Sequence, residues 1–247
     1  MNVITATEFQ MSERASLKAR LAALRERAAP LGASEILALA FDAFPENLAI
    51  VSSFGSESVA LLHMAVKLNP HVPVIFLNTG KLFGETRRYR DQLQDVLGLT
   101  DIRSIAPNPH DRDTRDPNGD LWSRNPDACC NLRKVLPLRR ALADFEATIT
   151  GRKRFQTTTR AQMEKVEIVD GRICFNPLAE WTLPELVKYI AGNALPQHPL
   201  ADDGYPSIGC VPCTRRVQPG ENYRDGRWSG FDKIECGIHE GVAGEGI

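Results

Sequence analysis

Residues 47–68 read NLAIVSSFGSESVALLHMAVKL. A short apolar strand pattern (47–53) runs into a small polar turn and then an apolar-rich helix (56–68). The Asn69-Pro70 break follows, then a second strand (72–77), a second helix (84–97) and a third strand (101–106). This β-α-β-α-β order predicts an α/β fold, a Rossmann-like parallel sheet with helices on both faces. Further out, residues 147–151 read as another strand. Residues 166–175 read as a hairpin across Asp170-Gly171. A helix over 182–190 opens with a Thr182/Glu185 capping box. Residues 12–29 form an amphipathic helix with Leu17, Leu21 and Leu24 on one face. Two stretches resist the pattern: 107–128, polar and rich in Asp, Asn and Pro, and 197–247, rich in Gly, Pro and Arg. Long irregular segments in a compact protein are commonly functional, and both of these lead into cysteines.

The whole chain has 247 residues, 43% hydrophobic and 25% charged, with a net charge of -1. That composition belongs to a globular protein and excludes a disordered chain, a collagen-like repeat and a membrane bundle. The near-neutral balance argues against a global grip on nucleic acid or an anionic membrane. Arginine outnumbers lysine by 22 to 8, and its planar fork suits phosphate and sulfate oxygens. Residues 1–30 hold no apolar stretch of signal-peptide length, and no run of ~18 apolar residues occurs anywhere. The expectation is a cytoplasmic protein. In that compartment six cysteines point to metal or catalysis before disulfides.

Three small polar turns follow predicted strands: Ser52-Ser53-Phe54-Gly55-Ser56-Glu57-Ser58, Leu77-Asn78-Thr79-Gly80 and Thr150-Gly151. In an open α/β sheet, ligands bind at the carboxyl ends of strands. A helix N-terminus there offers unpaired N–H groups to an anion. The first turn is equally a capped helix start, since Ser is a common N-cap. It matches neither G-x-x-x-x-G-K-[ST] nor G-x-G-x-x-G. Together the three turns outline a nucleotide pocket.

Cys129-Cys130 and Cys210-x-x-Cys213 are the sharpest chemical signal. Thiolates bind soft metals and iron–sulfur clusters. An adjacent pair suits a cluster whose sulfurs reach different irons, and a [4Fe-4S] cluster ranks ahead of zinc and of a redox disulfide. Lys134 lies four residues beyond Cys130. Residues 124–160 hold nine basic and three acidic side chains, enough to offset thiolate charge and attract an anion; Arg139 and Arg140 read as a solvated helix face. Cys236, in Glu235-Cys236-Gly237-Ile238-His239, stands near a Gly-rich terminus with arginines close in sequence. It reads as a reactive thiolate or as an incidental surface thiol. Cys174, inside Ile173-Cys174-Phe175, reads as a small core hydrophobe.

Taken together, the SSFGSES loop, the LNTG turn, CC followed about eighty residues later by C-x-x-C, and the terminal ECGIH resemble assimilatory sulfonucleotide reductases. The resemblance is specifically to the cluster-bearing adenylyl-sulfate (APS) reductases. The resemblance runs over about residues 47–240. It implies the PP-loop, adenine nucleotide alpha hydrolase-like form of the α/β fold. It also implies thioredoxin-dependent reduction of adenosine 5′-phosphosulfate to sulfite and AMP, through an S-sulfocysteine on Cys236. The resemblance assigns a [4Fe-4S] cluster to Cys129, Cys130, Cys210 and Cys213. Lys134 falls between cluster and substrate; Arg160, Arg224 and Arg227 fall on the phosphosulfate, with Arg152 and Arg154 as neighbouring candidates for the first. Ser52, Ser53, Gly55 and Ser58 line the loop, Leu77 and Gly151 flank the adenosine, and His239 positions the substrate. Asn78 departs from the LDTG that many relatives carry; the turn is expected to survive.

The division expected along the chain is N-terminal helices over 1–46, a nucleotide-binding α/β unit with the first cysteine pair over 47–196, and a cluster-binding segment with the catalytic tail over 197–247. The last two belong to one domain. Rival readings are a reductase of the 3′-phosphorylated nucleotide (PAPS), a PP-loop ATP pyrophosphatase or sulfur-transfer enzyme, and a non-catalytic metal or redox sensor. The pyrophosphatases usually carry SGGxDS, with Asp where this chain has Glu57. Thioredoxin is the expected partner, with glutaredoxin open as the donor, and homo-oligomerisation is left open.

Overall fold

The computed structural model describes residues 6–231, 233 and 235–238, with the backbone alone for residues 6–11 and 13. Six strands form one sheet: β1 (Leu48–Val51), β2 (Val74–Leu77), β3 (Ile102–Ile105), β4 (Ala147–Thr150), β5 (Val166–Val169) and β6 (Arg172–Phe175). Their order is β3-β2-β1-β4-β6-β5. All neighbours are parallel except β5 and β6. That exception is the expected hairpin. Its turn residues Asp170 and Gly171 both take positive φ, 48° and 75°, as a two-residue loop matched to strand twist requires.

The sheet is apolar because it is covered on both faces. On β1, Leu48, Ala49 and Ile50 are buried, on β2 Val74, Ile75 and Phe76, and β4 is buried throughout. The larger core joins Leu48, Ile50, Val74, Phe76, Ala147 and Ile149 to α1 (Ala6–Ala28), α2 (Ala33–Ala43), α3 (Ser58–Val66), α4 (Gly84–Leu97) and α9 (Leu183–Gly192), while Ala49 and Ile75 pack with Leu142 and Phe145 on the other face. Leu24 and Ala28 of α1 are buried, with Leu17 and Leu21 packed beside them, which is the face anticipated for that helix. Arg25 Nε donates to the carbonyl of Val166 at 2.8 Å and ties α1 to β5. The capping box on α9 is present: Thr182 N donates to Glu185 Oε2 at 2.7 Å.

The stretch over 107–128, expected to be irregular, contains three short helical turns: α5 (Pro109–Arg115), α6 (Leu121–Arg124) and the start of α7 (Pro126–Cys130). Two of them begin at Asn-Pro. The Asn108 side chain accepts from His110 N and Asp111 N, and that of Asn125 from Ala128 N. The asparagine caps, and proline at the first helical position gives up no needed donor. A π-helical turn (Asn131–Val135) leads into α8 (Leu136–Ala141). Among the described residues, those beyond 196 hold α10 (Pro199–Asp202), a 3-10 turn (Val211–Cys213) and 3-10 backbone at 237–238. Isolated bridges pin this segment down, Leu82 with Cys210 and Thr214 with Arg227. No helix of the described chain is long and apolar enough to cross a membrane.

Candidate active site

β1 has β2 on one side and β4 on the other, so the chain reverses its direction across the sheet there. Ligands in open α/β sheets bind outside the carboxyl ends of the strands at such a point. A cavity of about 220 Å³ lies there, walled by the ends of β1, β2 and β4 and roofed by residues 207–210, 223–228 and 236–238. Ser52, Ser53, Gly55, Ser58, Leu77 and Gly151 all line it, as do Lys134, Arg160, Arg224, Arg227 and Cys236. These are the substrate-site and nucleophile residues named from sequence except His239, which lies outside the described residues.

The loop after β1 turns at Phe54, not at a glycine. Phe54 takes φ 49°, a conformation costly for a bulky residue. Its ring is fully buried, edge-on to Phe76 at 5.4 Å. No serine side chain caps α3, so the capped-start reading fails. Ser56 Oγ instead donates to the carbonyl of Pro206 at 2.7 Å and ties the roof to the floor. Glu57 receives Lys153 Nζ, Gln156 Nε2 and the Tyr223 hydroxyl on its carboxylate. The Asn78 turn is intact: Asn78 Oδ1 accepts from Gly80 N at 3.3 Å.

The cationic side of the cavity is built for an anion. Arg227 stacks on the Trp228 ring at 4.4 Å and donates to Ser207 Oγ and the Ile208 carbonyl through Nη1. Nε of Arg224, Nε of Arg227 and Nε1 of Trp228 are buried without a hydrogen-bond partner among the described residues. A buried unsatisfied donor is costly, and three of them around one cavity call for an oxygen-rich ligand. Arg160 is placed differently. Its Nε and Nη2 donate to Glu235 Oε2 at 3.1 and 2.5 Å, and its Nη1 to Gln156. Of the alternatives, Arg152 also lines the cavity but its guanidinium pairs with Glu167 at 2.6 Å. Arg154 turns outward to Glu180 and the Met163 carbonyl.

Six cysteines are free, with no disulfide among them. Cys129 and Cys130 end α7; Cys210 and Cys213 bracket the 3-10 turn. Burial pushes the Cys129 thiol up to about 11, and Cys213 packs against the small cluster of Cys130, Trp228 and Cys236, which brings the two cysteine pairs together. Thr79 Oγ1 lies 3.2 Å from Cys210 Sγ. Among the described residues, no group of three or more His, Cys, Asp or Glu is arranged for a single metal ion. A tetrahedral ion needs its sulfurs within ~4 Å of each other, given metal–sulfur bonds of ~2.3 Å. Thiolates on a multi-iron cluster sit on different irons and stand further apart. A largely buried, all-thiol donor set drawn from a helix end and a loop fits an iron–sulfur cluster.

Cys236 is buried against Cys130 and Trp228. The hydrogen bond from Cys130, with Lys134 and Arg227 nearby, holds the Cys236 thiol well below its usual range despite burial. The proton of that pair resides on Cys130, whose own value is raised. Negative charge on Cys236 keeps the Lys134 ammonium protonated against its burial. Behind the cysteine helix, Arg133 bridges a fully buried Asp116 (2.6 Å) and the Thr79 carbonyl (2.9 Å). Cys174 sits in the core at 1% exposure. Arg139 pairs with Asp170 and Arg140 reaches the Ala106 carbonyl, both exposed. Arg215 pairs with Glu221, Arg216 lies over Tyr205, and neither lines the cavity.

Sequence reasoning gave no role to Glu57, Lys153, Gln156, Tyr223 or Glu235. Lys153 is 1% exposed, and a lysine that close to a predicted strand end was the one available cue.

The family described as "Phosphoadenosine phosphosulfate reductase domain" matches residues 47–216. The chain is 52% identical over 196 residues to an adenosine 5′-phosphosulfate reductase of Mesorhizobium japonicum, covering 79% of this chain and 77% of that protein. It is 47% identical to one of Chelativorans sp., covering 85% and 86%. It is 42% identical to a phosphoadenosine 5′-phosphosulfate reductase of Gloeobacter violaceus, covering 85% and 89%. The phosphate complex of phosphoadenylyl-sulfate (PAPS) reductase from Candida auris superposes with a TM-score of 0.68 at 27% identity, over 80% of this chain and 96% of that one. Candida glabrata FMN adenylyltransferase shares the fold at a TM-score of 0.54 and 12% identity, over 87% and 76%.

Proposed function

The chain belongs to the phosphoadenosine phosphosulfate reductase family, and on that premise we propose that it reduces adenosine 5′-phosphosulfate to sulfite and AMP at the expense of thioredoxin. It is an oxidoreductase of sulfonucleotides. The observation that carries the substrate reading is the set of unpartnered donors on Arg224, Arg227 and Trp228, in one cavity with Cys236. A phosphosulfate supplies oxygens for these donors and a sulfur for the thiol.

Attack of a thiolate on a sulfate sulfur drives negative charge against negative charge. Arg224, Arg227 and Lys134 reduce that repulsion and stabilise charge on the departing phosphate. Cys236 Sγ forms a bond to sulfur as the sulfur–oxygen bond to phosphate breaks. AMP leaves with that electron pair, and Cys236 carries the sulfonate. A thioredoxin thiolate then attacks Cys236 Sγ, and sulfite departs with the electrons of the sulfur–sulfur bond. The second thioredoxin thiol resolves the mixed disulfide, leaving thioredoxin oxidised and Cys236 free. Buried as it is, Cys236 becomes reachable for thioredoxin only when its segment opens.

Ser52, Ser53, Gly55 and Ser58 cradle the nucleotide; Leu77 and Gly151 flank the adenosine. Arg160 acts on the same anionic side, and His239 takes the substrate-positioning role that the family resemblance gives it. Cys129, Cys130, Cys210 and Cys213 would hold a [4Fe-4S] cluster. When bound, that cluster would contribute electrostatics and order beside the reacting sulfur. The four-cysteine set favours APS over its 3′-phosphorylated relative.

Intact mass after anaerobic incubation with APS, without reductant, tests the reading. A gain of one SO3 unit on Cys236, removed by thioredoxin, is expected. The same gain only with PAPS changes the substrate and keeps the mechanism. No gain with APS, PAPS or ATP, in protein that retains its iron, overturns it.

A further inference from the structure

Glu235 immediately precedes the nucleophile and is buried, at 6% exposure. Its two oxygens are taken by two different arginines. Oε2 accepts from Nε and Nη2 of Arg160 at 3.1 and 2.5 Å, and Oε1 accepts from Nη2 of Arg224 at 3.1 Å. Both arginines line the cavity. Arg160 comes from the segment after β4 and Arg224 from the roof, so the carboxylate joins the two walls. Arg160 is committed to it, since its remaining nitrogen is held by Gln156. Arg224 is only half committed, because its Nε has no partner among the described residues. Two residues earlier, Lys233 pairs with Asp127 on α7, the helix that ends in Cys129 and Cys130. The chain is thus pinned by opposite charges on two sides just before Cys236 meets Cys130 and Trp228.

We propose that Glu235 is a positioning residue: an internal anion that latches the segment bearing Cys236 over the cavity through Arg160 and Arg224. The inference rests on the functional reading above, and it changes the part played by Arg160. That arginine's main work is to hold the tail rather than to bind the phosphosulfate directly. Glu235 also draws on the guanidinium charge that an anionic ligand needs, so it opposes nucleotide binding while favouring closure. A carboxylate with only a packing role would not produce both effects.

The test uses the full-length, iron-containing protein, anaerobically, as wild type, Glu235→Gln and Glu235→Asp. Two quantities are read. One is the rate of Cys236 carbamidomethylation by iodoacetamide, followed by peptide mass at the high-pH plateau so that thiol ionisation does not enter. The other is the dissociation constant of AMP by calorimetry. In Glu235→Gln the alkylation rate is expected to rise by about tenfold or more, because a buried charge-assisted pair no longer holds the segment closed. AMP should bind several-fold more tightly, because one opposing charge is gone. Glu235→Asp, which keeps the charge, should lie near wild type in both. Alkylation within about twofold of wild type in Glu235→Gln, or weaker AMP binding, overturns the latch. Equal acceleration in Glu235→Asp and Glu235→Gln also overturns it, since the carboxylate charge would then not matter. Neither readout is turnover. If AMP binds none of the three proteins, the functional reading fails, while the alkylation rates still decide the latch.

Discussion

Gly209 leaves the space through which the Arg227 guanidinium passes. A Cβ on Gly209 would stand 2.3 Å from Arg227 Nη2 and 2.6 Å from its Cζ. No side chain fits there while Arg227 keeps its stack on Trp228 at 4.4 Å. The clash falls on the far end of a flexible side chain, so the fold can absorb it by moving the arginine. Gly209→Ala should therefore leave the melting temperature nearly unchanged. It should lower kcat/KM by about a hundredfold, as expected for removing one preorganised donor from a developing charge. Steady-state kinetics beside a thermal melt check this; a large loss of stability with normal kinetics would contradict it.

The buried pair of Asp116 and Arg133 holds the cysteine helix to the turn after β2. Asp116 also accepts from Leu121 N at 2.9 Å, so one carboxylate fixes the loop before α6 and the helix-end arginine together. Asp116→Ala strands a buried guanidinium and should cost about 3 kcal/mol or more. On the iron–sulfur reading proposed above, iron content per chain should fall with it, because Cys129 and Cys130 lose their alignment with Cys210. Combining Asp116→Leu with Arg133→Met removes both charges and should recover much of the stability. Denaturant midpoints and iron analysis of the single and double variants give the comparison.

Some of this was legible in the chain and some was not. α4 has the bounds that its apolar periodicity and flanking glycines indicate, Gly84–Leu97. The turns after β1, β2 and β4 were legible as a site because parallel strands place their carboxyl ends on one edge. The helical turns at 109–115 and 121–124 were not, since seven and four residues carry too little period. Their cue was local, Asn before Pro. The pairings Tyr223 with Glu57 and Arg160 with Glu235 span 166 and 75 residues. Nothing local in either partner announces such a contact, so the roles of Glu57, Tyr223 and Glu235 became visible only in three dimensions.

Tyr223 connects the roof to the loop after β1. Its hydroxyl donates to Glu57, whose other oxygen takes Lys153 and Gln156. The hydrogen bond is to a charged acceptor, and losing it should cost about 1.5–3 kcal/mol locally. Tyr223→Phe should weaken AMP binding by about tenfold, because Arg224, the next residue, loses its fixed approach to the cavity. On the same iron–sulfur reading, iron content should not change, since no cysteine is among the hydrogen-bond partners of Glu57 in the described residues. Calorimetric titration with AMP separates this from a general loosening, which would lower iron content as well.

His198 gives a pH signature remote from the cysteines. It is fully buried and caps α10; Nδ1 accepts from Leu200 N at 3.2 Å, so Nε2 carries the proton and donates to Thr86 Oγ1 at 3.1 Å. Tyr89 packs on the ring at 4.9 Å. Burial lowers its pKa to about 4, against a weaker upward pull from Glu85. The folded value lies below the unfolded one, near 6.5, so the unfolded chain binds the proton first as pH falls. The stabilisation from a neutral His198 is therefore complete above pH ~6.5 and is lost as pH drops toward ~4. At pH 4.5 the loss should be about 2 kcal/mol. In His198→Asn the side-chain oxygen can still cap Leu200 N, but nothing titrates. Urea midpoints at pH 7 and 4.5 should fall further for the wild type than for this variant; equal falls would place the acid sensitivity elsewhere.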